Sequence, residues 1–270
     1  MIQLKSKKDI EILREAGKKL AYILASLEKA TVPGVSSFEL EDLARKLTKE
    51  AGATPAFLGY TPEGAKRAFP AALCLSVNNA VVHGIPNEKE YIIKKGDLVV
   101  LDMGIVYKKM IVDSAITVSA GGLEATDEKG RKLLQAGKEC LDAAIEACRH
   151  WKKDFPKGIK TGDIGQAIEN AFMFYHKKYG FNMAEHLGGH GVGFKVHEDP
   201  FVPNLGVPGQ GPALQPGTVI AIEPILNEGK AQIRLESDGY TITTIDGKRS
   251  VHFEHTIAIT EDGVEVLTEM

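Results

Sequence analysis

Four acidic residues interrupt runs of apolar and β-branched residues that otherwise have the composition of buried β-strands. They are Asp102, Asp113, Glu223 and Glu254. Asp and Glu side chains are almost never fully buried unless they are paired or bound to a cation. A structural salt-bridge network would need four basic residues in similar runs, and the sequence has no such set. The pattern therefore predicts a sheet that brings these carboxylates together at a functional site.

The runs that contain Asp102 and Asp113 follow each other in the sequence and predict a β-hairpin. Residues 97–107 and 110–119 are apolar, β-branched and alternating, as strands are. With a turn at residues 107–108, the two aspartates would lie directly opposite each other, with Cβ atoms about 4.5–5.5 Å apart. Either a shared proton or a bound cation would then be needed to offset their repulsion.

Apolar residues at helical spacing predict a first helix over residues 8–31. Ser36 stands three residues before Glu39, a capping-box pattern that predicts a second helix over about residues 37–51. Three further strand-like runs cover residues 218–226, 239–245 and 250–260. Helix pairs combined with antiparallel strands predict an α+β fold, with helices covering one face of a curved sheet.

Two short segments recur in the same order along the chain and indicate an internal duplication. Residues 15–20 resemble residues 135–141, and residues 34–40 resemble residues 158–164. In each case a helix, a glycine and a second capped helix follow one another. We therefore predict a single domain over residues 1–270, built from two similar halves at about 1–121 and 122–270.

The composition is that of an ordinary soluble globular protein, with 43% hydrophobic and 26% charged residues among 270 and a formal net charge of -3. Without a strong basic field, specific nucleic-acid binding is not expected. Charges begin within the first five residues, and no apolar run approaches the roughly 20 residues that span a bilayer, so neither a signal peptide nor a membrane segment is expected. The three cysteines, Cys74, Cys140 and Cys148, indicate reduced thiols and a cytoplasmic location.

Glycines flank His190 on both sides, which allows the backbone to approach a ligand closely. An imidazole together with carboxylates suits a first-row transition metal such as Mn, Fe, Co or Zn. His83 and His197 each precede turn residues, where catalytic groups are common. The sequence contains no Gly-x-Ser-x-Gly elbow, phosphate-binding loop or His-Glu-x-x-His motif. A metal centre built from carboxylates and imidazole is the chemistry that these residues indicate.

Over nearly its whole length the chain resembles the type I methionine aminopeptidases, which have the pita-bread fold with pseudo-twofold symmetry. The resemblance rests on the motifs Val82-His83-Gly-Ile-Pro86, Leu101-Asp102-Met-Gly, Asp113-Ser-Ala, Gly189-His190-Gly-Val-Gly193, His197-Glu-Asp-Pro200, Ile222-Glu223-Pro224 and Phe253-Glu254-His255-Thr256. In three places the chain departs from the family: Val196 stands where Phe is frequent, Tyr240 where Trp is frequent and His252 where Gln is frequent. These departures concern the shape of the pocket more than the chemistry.

The resemblance implies two divalent metal ions, Co, Mn, Fe or Zn. Their ligands would be Asp102, Asp113, His190, Glu223 and Glu254. Asp113 and Glu254 would bridge both ions, and two ions about 3.5–4 Å apart would activate a water between them. Glu223 would also be catalytic. The resemblance further assigns His83 and His197 to contact with the substrate near the scissile bond, and Phe69, Cys74, His83 and Tyr240 to the surroundings of the methionine pocket.

The implied activity is removal of the initiator methionine from nascent polypeptides with a small second residue. Nascent N-termini are then the partners, with transient ribosome association and a monomeric state as further expectations. Two alternatives stay open. A proline-specific peptidase of the prolidase type shares the fold and ligands but usually carries a large N-terminal domain, whereas about 100 residues precede Asp102 here. A metal-free binding protein on the same fold would have lost ligands, whereas all five are present.

Overall fold

The computed structural model describes residues 1–155 and 158–270. The helices within those ranges are α1 (Lys7–Ala30), α2 (Ser37–Glu50), α3 (Glu128–Arg149), α4 (Trp151–Asp154) and α5 (Thr161–Tyr179), with a short 3-10 helix at Leu123–Ala125. The strands are β1 (Thr54–Pro55), β2 (Cys74–Val77), β3 (Ala80–Val82), β4 (Leu98–Tyr107), β5 (Met110–Ser119), β6 (Asn182–Met183), β7 (Gly188–Gly191), β8 (Glu198–Pro203), β9 (Val219–Ile222), β10 (Ile225–Asn227), β11 (Ile233–Leu235), β12 (Ile242–Thr244), β13 (Ser250–His252), β14 (Glu254–Thr260) and β15 (Gly263–Val266). None of the described helices is both long and apolar enough to cross a membrane.

The first two helices confirm the sequence interpretation almost to the residue. The side chain of Ser36 accepts a hydrogen bond at the start of α2, and the Glu39 carboxylate accepts one from the Ser36 backbone N–H, 2.8 Å away. This reciprocal pair satisfies backbone donors that a helix leaves free at its N-terminus. After α2, Gly52 adopts a φ of +68°, a conformation that ends a helix at low cost when the residue is glycine.

One antiparallel sheet of nine strands forms the centre of the molecule. Its main path runs β1-β4-β5-β14-β9-β7-β8, while β2 pairs with β4 and β15 pairs with β14. Two sheets of three strands flank it, in the orders β13-β10-β6 and β11-β12-β3. Helix α1 contacts β4 and β5 of the large sheet. Helices α3 and α5 contact each other; α3 also contacts β14 and β15, and α5 also contacts β8. The predicted α+β arrangement is therefore present.

The predicted hairpin forms, but its turn lies one residue later than expected. Tyr107 pairs with Met110, so the loop consists of Lys108 and Lys109, both with positive φ (48° and 70°). Two positive φ values are typical of the type I′ turn, whose twist matches that of the flanking strands. Moving the turn by one residue shifts the register by two, so Asp102 is opposite Ala115 and Gly104 is opposite Asp113. The two aspartates share a face as diagonal neighbours and are not directly opposed, which corrects the expected register.

The three later strand-like runs are shorter than predicted, and two of them are broken. Residues 218–226 divide at Glu223-Pro224 into β9 and β10, because proline has no backbone N–H to continue the ladder. Residues 250–260 divide at Phe253 into β13 and β14. At both breaks the chain passes between a small sheet and the large one. Glu223 and Glu254 therefore lie at crossing points between sheets.

The two predicted halves each contain a helix that approaches the strands closely through a glycine. A Cβ on Gly17 of α1 would lie 1.9 Å from the Leu267 carbonyl oxygen, and a Cβ on Gly137 of α3 would lie 2.7 Å from the Phe253 ring. Only glycine permits so close an approach. These glycines occupy equivalent places in the two repeated segments. They agree with an internal duplication, while the division into halves stays a prediction.

Candidate metal centre

Five consecutive strands of the large sheet each bring one chemically reactive side chain to the same place. Asp102 lies on β4, Asp113 on β5, Glu254 at the start of β14, Glu223 directly after β9, and His190 on β7. These are the five residues that the resemblance described above implies as metal ligands. Because neighbouring strands lie about 4.8 Å apart, residues on one face of adjacent strands converge on a compact site.

The side chains of this group lie close together; three are buried, and those of His190 and Glu223 are 12% exposed. Asp102, Asp113 and Glu254 are 6%, 3% and 2% exposed. One ligand atom each from Asp113, His190 and Glu254 lie within 4.8 Å of one another. His190 Nε2 is 3.6 Å from a carboxylate oxygen of Glu223. The strand order also brings Asp102 and Glu223 close to Asp113, His190 and Glu254.

Burial and mutual repulsion make the negative charges of this site costly. Burial raises the pKa of Asp113 to about 7. It also raises the pKa values of Asp102, Glu223 and Glu254 well above their usual range, with repulsion from the neighbouring carboxylates as the second cause. Among the described residues, the ion-pair partners of these carboxylates within 4.0 Å are histidines only. One buried oxygen of Asp113 has no hydrogen-bond partner in the described structure. Such a donor set fits divalent cations.

The ionisation of Asp113 is expected to lower the stability of the metal-free protein, prepared by chelation, as the pH rises. The folded state keeps a proton on Asp113 up to a pKa of about 7, whereas the unfolded chain releases it near pH 3.8. The contribution of this carboxyl to the free energy of unfolding therefore falls through this window, by a few kcal/mol. Because the pKa values of the buried histidines are lowered and act in the opposite direction, the measurement compares thermal unfolding of the wild type and of Asp113→Asn at pH 5 and pH 8. The wild type should lose more stability, or gain less, than the variant between these pH values, and equal changes in the two proteins would contradict the crowding of buried carboxylates.

His190 is oriented for binding a cation through Nε2. Its Nδ1 is 2.9 Å from the carbonyl oxygen of Gly191, so Nδ1–H donates there and leaves the lone pair of Nε2 facing Glu223. Burial lowers the pKa of His190 to about 3, so the ring is neutral. A neutral imidazole with its other nitrogen hydrogen-bonded to a carbonyl is the usual arrangement of a metal-binding histidine.

The predicted substrate residues lie around a cavity of about 300 Å³ above the carboxylates. Phe69, Cys74, His83, His197 and Tyr240 all line it, together with Asp102, Asp113, His190, Glu223 and Glu254. The rings of Phe69 and Tyr240 meet edge to face with centroids 5.2 Å apart. Cys74 is buried opposite Asp102 on the neighbouring strand, where burial raises its thiol pKa well above the usual value. The cavity therefore has an apolar wall and an acidic floor.

Two further histidines, His83 and His197, line the cavity. The ring of His197 lies 4.4 Å from that of His190, measured between centroids. Burial lowers the pKa of His83 to about 4, and burial also lowers the pKa of His197. His83 has a φ of +58°, which turns the chain sharply after β3. Val196, where the family often has Phe, is buried and is not among the residues that line the cavity.

Tyr60 is the main functional candidate that sequence reasoning missed. Its hydroxyl lies 3.1 Å from Nδ1 of His197, and the two rings are 5.7 Å apart between centroids. The loop that carries Tyr60 matches no motif, and the contact spans 137 residues of sequence. Only the folded structure reveals this pair. Phe57, Pro62, His186 and Phe201 also line the cavity without having been predicted.

Comparisons with known proteins agree with this geometry. Residues 11–261 match metallopeptidase family M24. The chain is 46% identical to a methionine aminopeptidase of Aquifex aeolicus, over 100% of this chain and 99% of that protein. The crystal structure of methionine aminopeptidase from Thermotoga maritima covers 100% of both chains, with a TM-score of 0.89 and 38% identity. The prolidase from Pyrococcus furiosus has a TM-score of 0.74 and 25% identity, covering 99% of this chain and 65% of its own.

The chain therefore belongs to metallopeptidase family M24, a family of metal-dependent hydrolases. Within that family it groups with the methionine aminopeptidases, and the prolidases are more distant. The predicted pita-bread fold is confirmed by these structural neighbours. A divalent metal requirement follows from the family, and the buried carboxylates described above fit it.

Proposed function

We propose that this enzyme removes methionine from the N-termini of newly made polypeptides whose second residue is small. The observation that carries the proposal is the convergence of five ligand-type side chains, one from each of five adjacent strands, beneath an apolar cavity. Full-length similarity to methionine aminopeptidases supports this choice over a prolidase. All five ligand-type residues are present, which argues against a binding protein that has lost its metal.

We assign Asp102, Asp113, His190, Glu223 and Glu254 to two divalent ions, drawn from Co, Mn, Fe or Zn. Bound ions at such a centre lower the pKa of a coordinated water and polarise the scissile carbonyl. Carboxylates and imidazole accept several of these ions, so availability in the cell decides among them. The ion-binding residues come from rigid neighbouring strands, which keeps their positions fixed during the reaction.

Proton transfer and stabilisation of the carbonyl fall to residues of the chain. Glu223 lines the cavity beside His190, which places its carboxylate where it can accept a proton from the attacking water and return it to the leaving amine. The Tyr60 hydroxyl lies 3.1 Å from Nδ1 of His197. With the hydroxyl as the donor, Nε2–H of His197 is free to donate to the carbonyl oxygen. His83 lines the same cavity and completes the contacts to the peptide.

Replacing His197 with alanine is expected to lower kcat by about 10²-fold while leaving metal content unchanged, because the residue contacts the reacting carbonyl and not the ions. Tyr60→Phe should lower kcat by less, since it removes only the group that orients the ring. Steady-state kinetics and metal analysis of the same samples measure both effects. If His197→Ala empties the site, His197 is a metal ligand and its assignment here is wrong.

The functional test compares peptides that begin Met-Ala and Ala-Pro. Preferential hydrolysis of Met-Ala by the metal-loaded enzyme is expected, with free methionine as the product. Preference for Ala-Pro would move the enzyme to the proline-specific branch.

We further propose that the enzyme acts in the cytoplasm as a monomer on nascent N-termini, with transient ribosome contact. Size-exclusion chromatography with light scattering tests the monomer, and co-sedimentation with ribosomes tests the contact.

A further inference from the structure

His252 is a second imidazole at the floor of the cavity, beside the five side chains already described. It is the last residue of β13 and lines the cavity with Glu223 and Glu254. The residue is only 2% exposed, yet neither ring nitrogen has a hydrogen-bond partner in the described structure. Leaving a buried imidazole without a partner is costly, so such a group takes either an ordered water or a cation as its partner.

The backbone of His252 is held in place from both sides. Its N–H donates to Thr117 Oγ1 over 2.9 Å, and the Thr117 hydroxyl donates to the His252 carbonyl oxygen over 2.7 Å. The residue is also paired with Ile225 in the small sheet. Because the residue is also buried, its side chain has little room to turn away from the cavity.

The distances from His252 match those between two ligands of one ion. Its Nε2 is 3.5 Å from one oxygen of Glu223 and 3.8 Å from one oxygen of Glu254, both too long for a hydrogen bond. Two atoms bound to the same tetrahedral ion, each about 2.1 Å from it, lie about 3.4 Å apart. His190 Nε2 has nearly the same separation, 3.6 Å, from the other oxygen of Glu223. Glu223 thus lies between two imidazoles in equivalent positions.

We propose that His252 is a sixth protein ligand of the metal centre, bound through Nε2 beside Glu223. This inference rests on the proposed function, which supplies the ion. A second imidazole changes the donor set toward nitrogen. Imidazole favours ions such as Co, Fe and Zn, whereas carboxylate and water suit Mn. With His252 as a ligand, the centre would therefore favour Co, Fe or Zn over Mn more strongly than with His190 as its one imidazole ligand.

The test measures dissociation constants for Co²⁺ and Mn²⁺ by calorimetry on the metal-free full chain and on His252→Gln. Glutamine keeps a similar reach and can donate a hydrogen bond, but it lacks the imidazole nitrogen. The variant should bind Co²⁺ about 10–100-fold more weakly, with a clearly smaller change for Mn²⁺. His255→Gln is the matched control, because that neighbouring ring is hydrogen-bonded to Thr268 and does not line the cavity. It should leave both constants unchanged.

A crystal structure of the wild-type chain grown with Co²⁺ gives a second measurement that needs no variant. An ion within about 2.0–2.2 Å of His252 Nε2 supports the proposal. An ion held by the carboxylates with Nε2 beyond about 3 Å overturns it, as does an equal or absent change for both ions in His252→Gln. In those cases cleavage of Met-Ala peptides would still support the proposed function. Absence of binding by the wild type to either ion would overturn both.

Discussion

Replacing Glu254 with alanine is expected to remove the bound metal and to lower kcat/KM on Met-Ala peptides by on the order of 10³-fold or more. Glu254 occupies the middle of the five-strand series, between Asp113 on β5 and Glu223 after β9. By the resemblance to the family it would contact both ions, so its loss would weaken both positions at once. The remaining carboxylates would then repel each other without a shared cation. Metal content and activity should fall together.

The control for this variant is Glu261→Ala, which removes an exposed glutamate just beyond the same strand. It should retain metal and activity. Asp113→Ala should also lose metal and activity, because Asp113 is the other residue that would contact both ions. Metal analysis by mass spectrometry and peptide cleavage are measured on the same preparations, with circular dichroism to verify folding. Folded Glu254→Ala protein with full metal content and normal turnover would contradict the assignment.

The second large effect concerns the first residue of the substrate. Peptides that begin with Lys are expected to be cleaved on the order of 10³-fold less efficiently than those that begin with Met. Phe69 and Tyr240 are buried, and their rings close one wall of the cavity. An ammonium group placed against that wall loses its water without gaining a carboxylate partner there. The unbranched and apolar side chain of methionine meets no such cost.

Smaller differences in the shape of the first side chain of the peptide should change kcat/KM less. A pocket that distinguishes one methylene or one branch contributes only about 1–3 kcal/mol, so norleucine should be accepted. The measurement is kcat/KM for peptides that begin Met-Ala, norleucine-Ala, Leu-Ala and Lys-Ala. An acetylated methionine should not be released, and Met-Lys should be a poor substrate. Equal rates on Met-Ala and Lys-Ala would remove the initiator-methionine assignment and indicate a broad aminopeptidase.

The sequence predicted the residues of the centre better than their geometry. Asp102 and Asp113 were recognisable because a carboxylate within an apolar strand needs a physical explanation. Their register was wrong because it depends on the turn, and positive φ at Lys108 and Lys109 could not be read from lysines, which carry no preference for that conformation. A shift of one residue at the turn was enough to convert a direct pair into a diagonal one.

Other features depend on contacts between distant parts of the chain and had no local signal. Tyr60 reaches His197 from a loop, and no periodicity or motif marks it. His252 was noticed only as a departure from the family, since burial without a hydrogen bond can be seen only in the folded molecule. The helix boundaries, by contrast, were predictable because the capping box at Ser36 and Glu39 is encoded within four residues.

The pairing of β5 with β14 has a consequence for the order of folding. Asp113 and Thr256 exchange hydrogen bonds across this pair, although 143 residues separate them in sequence. Contacts of such long range form late, because a large loop must close before they stabilise anything. No partly synthesised chain that lacks β14 can complete the centre. An emerging chain therefore lacks the complete set of proposed ligands until β14, near its C-terminal end, has left the ribosome.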